Sequence, residues 1–287
     1  MLIIRTVAKL RQAVAAARER GSRVGLVPTM GAFHEGHLSL MRRAAERCGF
    51  VIVSLFVNPT QFNDAGDLER YPRDEARDAA LAASAAVDVL FAPTSAEVYP
   101  AGCSTSVEVA GVSAPLEGAV RGPAHFRGVA TVVAKLFNMT QTDEAFFGQK
   151  DAQQALLIQR MARDLDFPVR IEICPTIREP DGLAMSSRNV LLDPDARRRA
   201  PALSAALDGV VGALAGGERD VRRLVAQARA VLREAGIEAE YLAIVSSDTL
   251  APLETVKGTA LCAVAARFGA VRLIDNALLS WPSEGTA

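Results

Sequence analysis

The stretch Val24-Gly25-Leu26-Val27-Pro28-Thr29-Met30-Gly31-Ala32-Phe33-His34-Glu35-Gly36-His37 decides how the rest of the chain is read. Its opening apolar run predicts a strand over Arg23 to Pro28. Beyond it, Leu38, Met41, Ala44, Ala45 and Cys48 recur at helical spacing and predict a helix over Gly36 to Cys48. Two glycines and two of the chain's three histidines lie where strand passes into helix. A helix start offers N–H groups without intrahelical partners and a partial positive charge, so it suits an anion. Glycine removes the steric cost of close backbone approach. His34 and His37 are i, i+3 and can share one helix face.

Three readings of the motif compete. A zinc protease signature has its histidines at i, i+4 with Glu directly after the first, and the interval here is one residue short. Two polar histidines at a helix start would need no ligand, but that leaves the glycines and the preceding strand unexplained. The third reading is a nucleotide site, because the motif resembles the histidine–glycine signature of the nucleotidylyltransferase superfamily. It requires a second cationic element elsewhere in the chain.

Outward from this motif, strand and helix signals alternate. Strands are predicted at Leu2 to Ile4, Phe50 to Val57, Val87 to Phe91, Ala145 to Phe147 and Val169 to Cys174. Helices are predicted at Thr6 to Arg20, Arg73 to Ala85, Gly128 to Met139 and Lys150 to Leu165. The nearly unbroken apolar run from Phe50 suits a strand covered on both faces. Repeated βα units predict an α/β fold, a Rossmann-like doubly wound parallel sheet over residues 1–175. Ligands of such sheets sit outside the carboxyl ends of the strands, and the polar clusters follow Val27, Val57, Phe147 and Cys174.

From Thr176 the pattern changes to a smaller C-terminal α/β domain, 176–287, expected to act as a lid. A loop with a turn at Pro180-Asp181-Gly182 runs to Asn189. Helices are expected at Pro194 to Ala215 and Glu218 to Ala235, then strands at Ala239 to Ser246, Thr259 to Ala266 and Val271 to Leu279. Residues 283–287 are expected to be a frayed end.

Composition narrows the function classes. Half of the 287 residues are apolar and the net charge is −1, as in an ordinary globular enzyme. A nucleic-acid binder would carry a basic excess, and the run Arg197-Arg198-Arg199 sits in a helical pattern as a solvated face. Four scattered cysteines without a CxxC pair suggest reduced, buried thiols in the cytoplasm rather than disulfides or zinc. There is no signal-peptide pattern and no apolar stretch of ~20 residues, so no membrane partner is expected.

Three further clusters bear on chemistry. Gly148-Gln149-Lys150-Asp151 opens a helix, with Lys150 and Gln154 at i, i+4. A lysine in a first turn opposes the helix dipole, and an anionic ligand would remove the conflict; a solvated lysine is the plain alternative. Met185-Ser186-Ser187-Arg188 is the second cationic element, with hydroxyl donors beside a guanidinium fork. It resembles the second signature loop of class I aminoacyl-tRNA synthetases. Gln61, in Asn58-Pro59-Thr60-Gln61-Phe62, offers both donors and an acceptor to a small hydroxy acid, or belongs to a plain turn. His125 lies in the glycine-rich stretch Gly118 to Gly128, read as a mobile cover or a structural connection.

Taken in order, these motifs resemble the pantothenate synthetase (pantoate–β-alanine ligase) family over nearly the whole chain. Tyr71-Pro72-Arg73, Leu116-Glu117-Gly118, Gly128 to Asn138 and Asp181 to Asn189 add to the match. The resemblance implies ATP-dependent condensation of D-pantoate with β-alanine through a pantoyl adenylate, releasing pyrophosphate and AMP. Mg²⁺ is implied on the ATP phosphates, with no protein side chain assigned as a metal ligand. The resemblance also implies ATP contacts from Met30, Gly31, Ala32, Phe33, His34, Glu35, Gly36 and His37. Further ATP contacts are implied from Gly148, Gln149, Lys150, Asp151, Ile177, Met185, Ser186, Ser187 and Arg188. Gln61 and Gln154 would hold pantoate, and Gln61 also β-alanine. His37 matches the proton donor; His34, Lys150, Ser186, Ser187 and Arg188 would stabilise charge. A homodimer is implied. Two departures stand out: Gln149 replaces the family's usual glutamate, and Arg121-Gly122-Pro123-Ala124-His125-Phe126 carries an extra residue. A nucleotidylyltransferase that stops at an adenylylated product, or a nucleotide sensor, are the alternatives.

Overall fold

The structure, a computed structural model, describes residues 1–63 and 65–282; the end at 283–287 lies outside the described residues. The chain divides into two compact units. The first comprises Met1–Gln149 with Gln153–Pro175, and the second Lys150–Ala152 with the chain from Thr176 onward.

The first unit begins with β1 (Leu2–Ile4), α1 (Val7–Glu19) and β2 (Val24–Thr29). Thr6 caps α1, which buries Leu10, Val14 and Ala17 on one face. Gly21, at φ +77°, ends it in the left-handed region that glycine occupies without cost. There follow α2 (Glu35–Arg47), β3 (Phe50–Leu55), α3 (Ala65–Arg70), α4 (Glu75–Ser84), β4 (Val89–Phe91) and α5 (Ser95–Val98). The unit closes with α6 (Glu117–Arg121), α7 (Pro123–Thr140), β5 (Glu144–Gly148), α8 (Ala152–Asp164) and β6 (Arg170–Cys174).

All six strands are parallel, in the order β1-β4-β3-β2-β5-β6. Leu26, Ile52, Leu90 and Phe146 are fully buried, as strands covered by helices on both faces require. The chain works outward from β2 through β3 and β4, then resumes on the other side of β2 with β5 and β6. The doubly wound expectation therefore holds, and β2 stands at the switch point where the carboxyl ends open a crevice.

The second unit contains α9 (Pro194–Arg199), α10 (Ala202–Ala215), α11 (Val221–Glu234), β7 (Ala239–Ser246), β8 (Gly258–Phe268) and β9 (Val271–Trp281). Its three strands are antiparallel in chain order. Leu203, Leu207 and Val210 of α10 and Leu224 and Leu232 of α11 share a core with Leu242, Cys262, Val264 and Leu273 of the sheet.

Several boundaries depart from the sequence reading. The predicted helix Pro194 to Ala215 is two helices, because Pro201 has no N–H to continue the ladder. α7 starts at Pro123, five residues before Gly128, since proline is favoured in a first helical turn. The glycine-rich stretch is thus largely helical. β3 stops at Leu55, and Lys150 lies in a 3₁₀ turn, Gln149–Asp151, ahead of α8. That turn breaks the continuous α-helical register assumed between Lys150 and Gln154. Cys48, Cys174 and Cys262 are buried as expected, but Cys103 is exposed.

Candidate active site

The loop leaving β2 is shaped by backbone strain and one buried carboxylate. Gly31 has φ +94° and Ala32 φ +54°. A Cβ on Gly31 would stand 2.7 Å from Leu55 Cδ1 and 2.9 Å from Asp78 Oδ2, so only glycine fits. Asp78, on α4 and 1% exposed, accepts hydrogen bonds from Ala32 N and Phe33 N, both at 2.8 Å. Thr29 Oγ1 donates to Ser54 O at 2.6 Å and fixes the loop's root to β3. The turn is thus held open by atoms that a ligand does not need to supply.

The two histidines cap α2 reciprocally. His34 Nδ1 accepts Gly36 N at 3.1 Å, and His37 Nδ1 accepts His34 N at 3.4 Å. A ring nitrogen that accepts an N–H carries no proton of its own. In the neutral rings the proton therefore sits on Nε2, which becomes a donor. The ring centroids are 4.2 Å apart, and Phe33 packs beside His37 at 5.6 Å. The arrangement pairs two ring donors at a positive helix end. The Glu35 carboxylate pairs with Arg42 on an exposed face, and that hydrogen bond holds it below the usual carboxylate range.

The turn after β3 is organised by Asn58, 1% exposed. Its Oδ1 accepts from Tyr99 OH and Thr60 Oγ1, each at 2.9 Å, and its Nδ2 donates to Gln61 Oε1 at 3.0 Å and Gly128 O at 3.2 Å. Occupying Gln61's carbonyl in this way turns its role towards donation through Nε2. His125 Nδ1 meets Gln61 O at 2.8 Å. α7 crosses this turn at Gly128, where a Cβ would lie 2.4 Å from Thr60 O. Burial pushes the Tyr99 hydroxyl up, against the opposing hydrogen bond with Thr60.

Beside the half-buried Gln154, Gln153 is buried and spends its whole amide on one loop. It accepts from Glu117 N at 3.0 Å and donates to Val112 O and Pro115 O, both at 2.8 Å. α8 is thereby clamped to the segment that leads into α6.

In the second unit, Ile177 and Met185 face each other across a short hairpin, with Met185 N donating to Ile177 O at 2.9 Å and a bridge between Arg178 and Ala184. Ser186 Oγ accepts Arg188 N at 3.2 Å, and the Arg188 side chain is exposed. Asn189, 8% exposed, closes the loop by donating to Glu179 Oε1 at 2.6 Å and Ala184 O at 3.1 Å. Glu179 and Asp181 are both gripped by Arg197. The Lys150 turn belongs to this unit, and its backbone oxygen accepts Asn276 Nδ2 at 3.0 Å.

The structure thus brings together His34 and His37, Gln61 and Asn58, and Ser186 and Arg188 within their own loops, and sets His125 of α7 against Gln61. Asn58, Asp78, Gln153 and Asn189, which hold those loops, were not singled out by sequence reasoning. A buried polar residue looks like a surface one until its partner is known. For Asn58 and Asn189 the signal was position, since each lies at one end of a motif.

Comparison with known proteins places these features in context. The profile of the Pantoate-beta-alanine ligase family matches residues 2–278. The chain is 55% identical over 275 residues to a pantothenate synthetase of Cereibacter sphaeroides, covering 96% of this chain and 98% of that one. It is 53% identical over 280 residues to the pantothenate synthetase of a Roseiflexus species, covering 97% and 99%. The crystal structure of pantothenate synthetase from Thermus thermophilus superposes with a TM-score of 0.91 at 48% identity, covering 96% and 99%. A pantoate-beta-alanine ligase from Francisella tularensis, complexed with beta-gamma ATP and beta-alanine, superposes at 0.78 with 33% identity, covering 97% of each chain.

Proposed function

The chain belongs to the pantoate-beta-alanine ligase family, and from that premise we propose how its own residues carry out the ATP-dependent condensation of pantoate with β-alanine. The observation that carries the proposal is the reciprocal histidine cap at the switch point. Each Nδ1 is committed to a backbone N–H, which makes both Nε2 atoms hydrogen-bond donors.

In the first step a pantoate carboxylate oxygen bonds to the α-phosphorus of ATP. The bond from that phosphorus to the bridging oxygen breaks, and pyrophosphate leaves with the electron pair. Negative charge grows on the phosphoryl oxygens and the leaving group, where fixed donors and cations stabilise it without reorganising. His34, His37, Lys150, Ser186, Ser187 and Arg188 fill that role, His37 as proton donor. Met30 to His37, Gly148 to Asp151, Ile177 and Met185 hold the nucleotide. Gln61 and Gln154 hold pantoate. In the second step the amine of β-alanine attacks the acyl carbon, AMP departs with the former carboxylate oxygen, and the amine loses its proton. Gln61 also receives β-alanine.

Mg²⁺, bound with the nucleotide, would neutralise phosphate charge beside Lys150 and Arg188. The C-terminal domain, 176–287, serves as a lid that keeps water from the acyl adenylate. Family resemblance supports a homodimer working in the cytoplasm. Among the described residues no helix is long and apolar enough to cross a membrane.

Isotope exchange between pyrophosphate and ATP tests the reading. Exchange should require pantoate and proceed without β-alanine. Exchange without any acid, or ADP as the nucleotide product, would overturn it.

A further inference from the structure

Two candidate triphosphate ligands in the second unit, the Lys150 turn and the Ser186–Arg188 loop, lie far apart in sequence. We propose that Asp275 and Asn276 of β9 form a strut that fixes these two segments relative to each other, which makes both positioning residues for ATP. The inference rests on the reading of Lys150 and Ser186 to Arg188 as nucleotide ligands.

β9 reads Val271-Arg272-Leu273-Ile274-Asp275-Asn276-Ala277-Leu278-Leu279, with two consecutive polar residues set between apolar pairs at its middle. Both are buried, at 3% and 4% exposure. Neighbouring strand residues point to opposite faces, so the pair reaches both ways from one point of the backbone.

Asp275 shares its face with Val271, Leu273 and Leu279, which belong to the apolar core. It meets the Arg178 guanidinium fork to fork: Nη1 to Oδ2 at 2.6 Å and Nη2 to Oδ1 at 3.1 Å. Arg178 Nη1 also donates to Gly182 O at 3.0 Å, and the Arg178 backbone bridges to Ala184. One residue therefore ties both arms of the hairpin to β9, and Met185 to Arg188 leave from the end of that hairpin. On the other face, Asn276 Nδ2 donates to Lys150 O at 3.0 Å. Asp275 Oδ1 further accepts Asn276 N at 2.8 Å, which limits rotation of the carboxylate. A continuous path of hydrogen bonds runs from the Lys150 backbone through Asn276, Asp275 and Arg178 to the hairpin.

Stability alone does not account for this pair. Burying an amide and a carboxylate costs free energy unless each is fully bonded, and well-packed apolar residues often serve a core equally well. A strut has a use for them, because bidentate Arg–carboxylate pairing sets orientation as well as distance. The Lys150 carbonyl adjoins the side chain whose ammonium must reach a phosphate, so a shift there moves the charge directly.

The test compares Asn276→Ala, Asn276→Asp and Arg178→Lys with the parent, full-length chain. ATP affinity is read by calorimetry, and both half-reactions are followed separately. Asn276→Ala should weaken ATP binding ~10-fold, because a Lys150 turn that is no longer held must be ordered on binding. Asn276→Asp, which sets a carboxylate oxygen against the Lys150 carbonyl, should weaken it further. Arg178→Lys keeps the charge but loses the fork, and should fall between parent and Asn276→Asp. The β-alanine KM, and the rate from preformed pantoyl adenylate to pantothenate, should stay within about twofold; a merely structural role would shift those together with the melting temperature. ATP affinity within twofold of the parent in Asn276→Ala and Arg178→Lys would overturn the strut, as would loss of every constant in step with stability. Should Asn276→Asp not fold, the other two variants decide the matter. A parent chain that binds ATP but shows no pantoate-dependent exchange would defeat the functional reading alone, with the strut still judged on ATP affinity. A parent chain that binds no ATP would defeat both.

Discussion

Replacing Gly128 by alanine sets two effects of opposite sign against each other. In an isolated helix the change would stabilise, because alanine exceeds glycine in helix propensity by ~1 kcal/mol. Here the new Cβ would lie 2.4 Å from Thr60 O, 2.6 Å from Thr60 C and 2.8 Å from Gln61 N, all backbone atoms. Restoring ordinary contact requires roughly 1 Å of separation between α7 and the 59–61 turn. Two hydrogen bonds resist that movement, from Asn58 Nδ2 to Gly128 O and between His125 Nδ1 and Gln61 O. Overpacking of this kind costs ~1–3 kcal/mol, so strain outweighs propensity by up to ~2 kcal/mol and the melting temperature should fall by several degrees. The larger effect should be catalytic. Gln61 is the proposed pantoate ligand, and a misplacement of ~1 Å can cost ~10²-fold in rate. Thermal melting and pantoate-dependent pyrophosphate exchange read the two effects, with ATP affinity as the internal control. A melting temperature that rises, with exchange within twofold of the parent, would refute the close-contact reasoning.

Other substitutions probe separate parts of the site. Asp78→Ala strips the acceptor from two loop N–H groups; with an unmet buried donor costing ~1–3 kcal/mol, ATP KM should rise and stability fall, and unchanged ATP KM would remove Asp78 from loop positioning. His37→Ala and Lys150→Ala should each slow the first half-reaction by ~10²–10³ without unfolding the protein, His37→Ala losing ~1 kcal/mol with its part of the α2 cap; near-normal exchange in both would defeat their assigned roles. Burial pushes the Cys48 and Cys174 thiols up to about 11 and Cys262 up to about 12, so at pH 8 their reactive thiolates should be scarce. A disulfide-exchange reagent at that pH should therefore label native protein at the exposed Cys103 and leave Cys103→Ser unlabelled; rapid labelling of the variant would show that the core opens.

What was legible in the sequence was local. The strand–loop–helix around His34 and His37 could be read because apolar spacing, glycines and a helix start all fall within a few residues. The doubly wound sheet followed from alternating βα units, and the Ser186–Arg188 loop from its composition; the switch point at β2 needed the strand order. The residues that fix these loops were not legible, because their meaning depends on distant partners. Asp78 meets its N–H groups 45 and 46 positions away, Asn58 reaches Gly128 across 70, and Asn276 reaches Lys150 across 126. Each is an ordinary polar residue until the chain is folded. Gly128 carried no local sign either, since a mid-helix glycine is unfavourable by propensity and is justified here only by the turn that crosses it. The misplaced helix boundaries have a simpler origin: prolines at 123 and 201 outweighed continuous apolar periodicity.

The most direct measurement follows the fate of oxygen. Pantoate labelled with ¹⁸O in its carboxylate is turned over with ATP and β-alanine, and the products are analysed by mass spectrometry. Attack of the carboxylate on the α-phosphorus, followed by departure of AMP from the acyl carbon, should leave a single heavy oxygen in each AMP and the other in pantothenate. Unlabelled ADP as the nucleotide product, with the heavy oxygen in inorganic phosphate, would contradict adenylyl transfer by this enzyme.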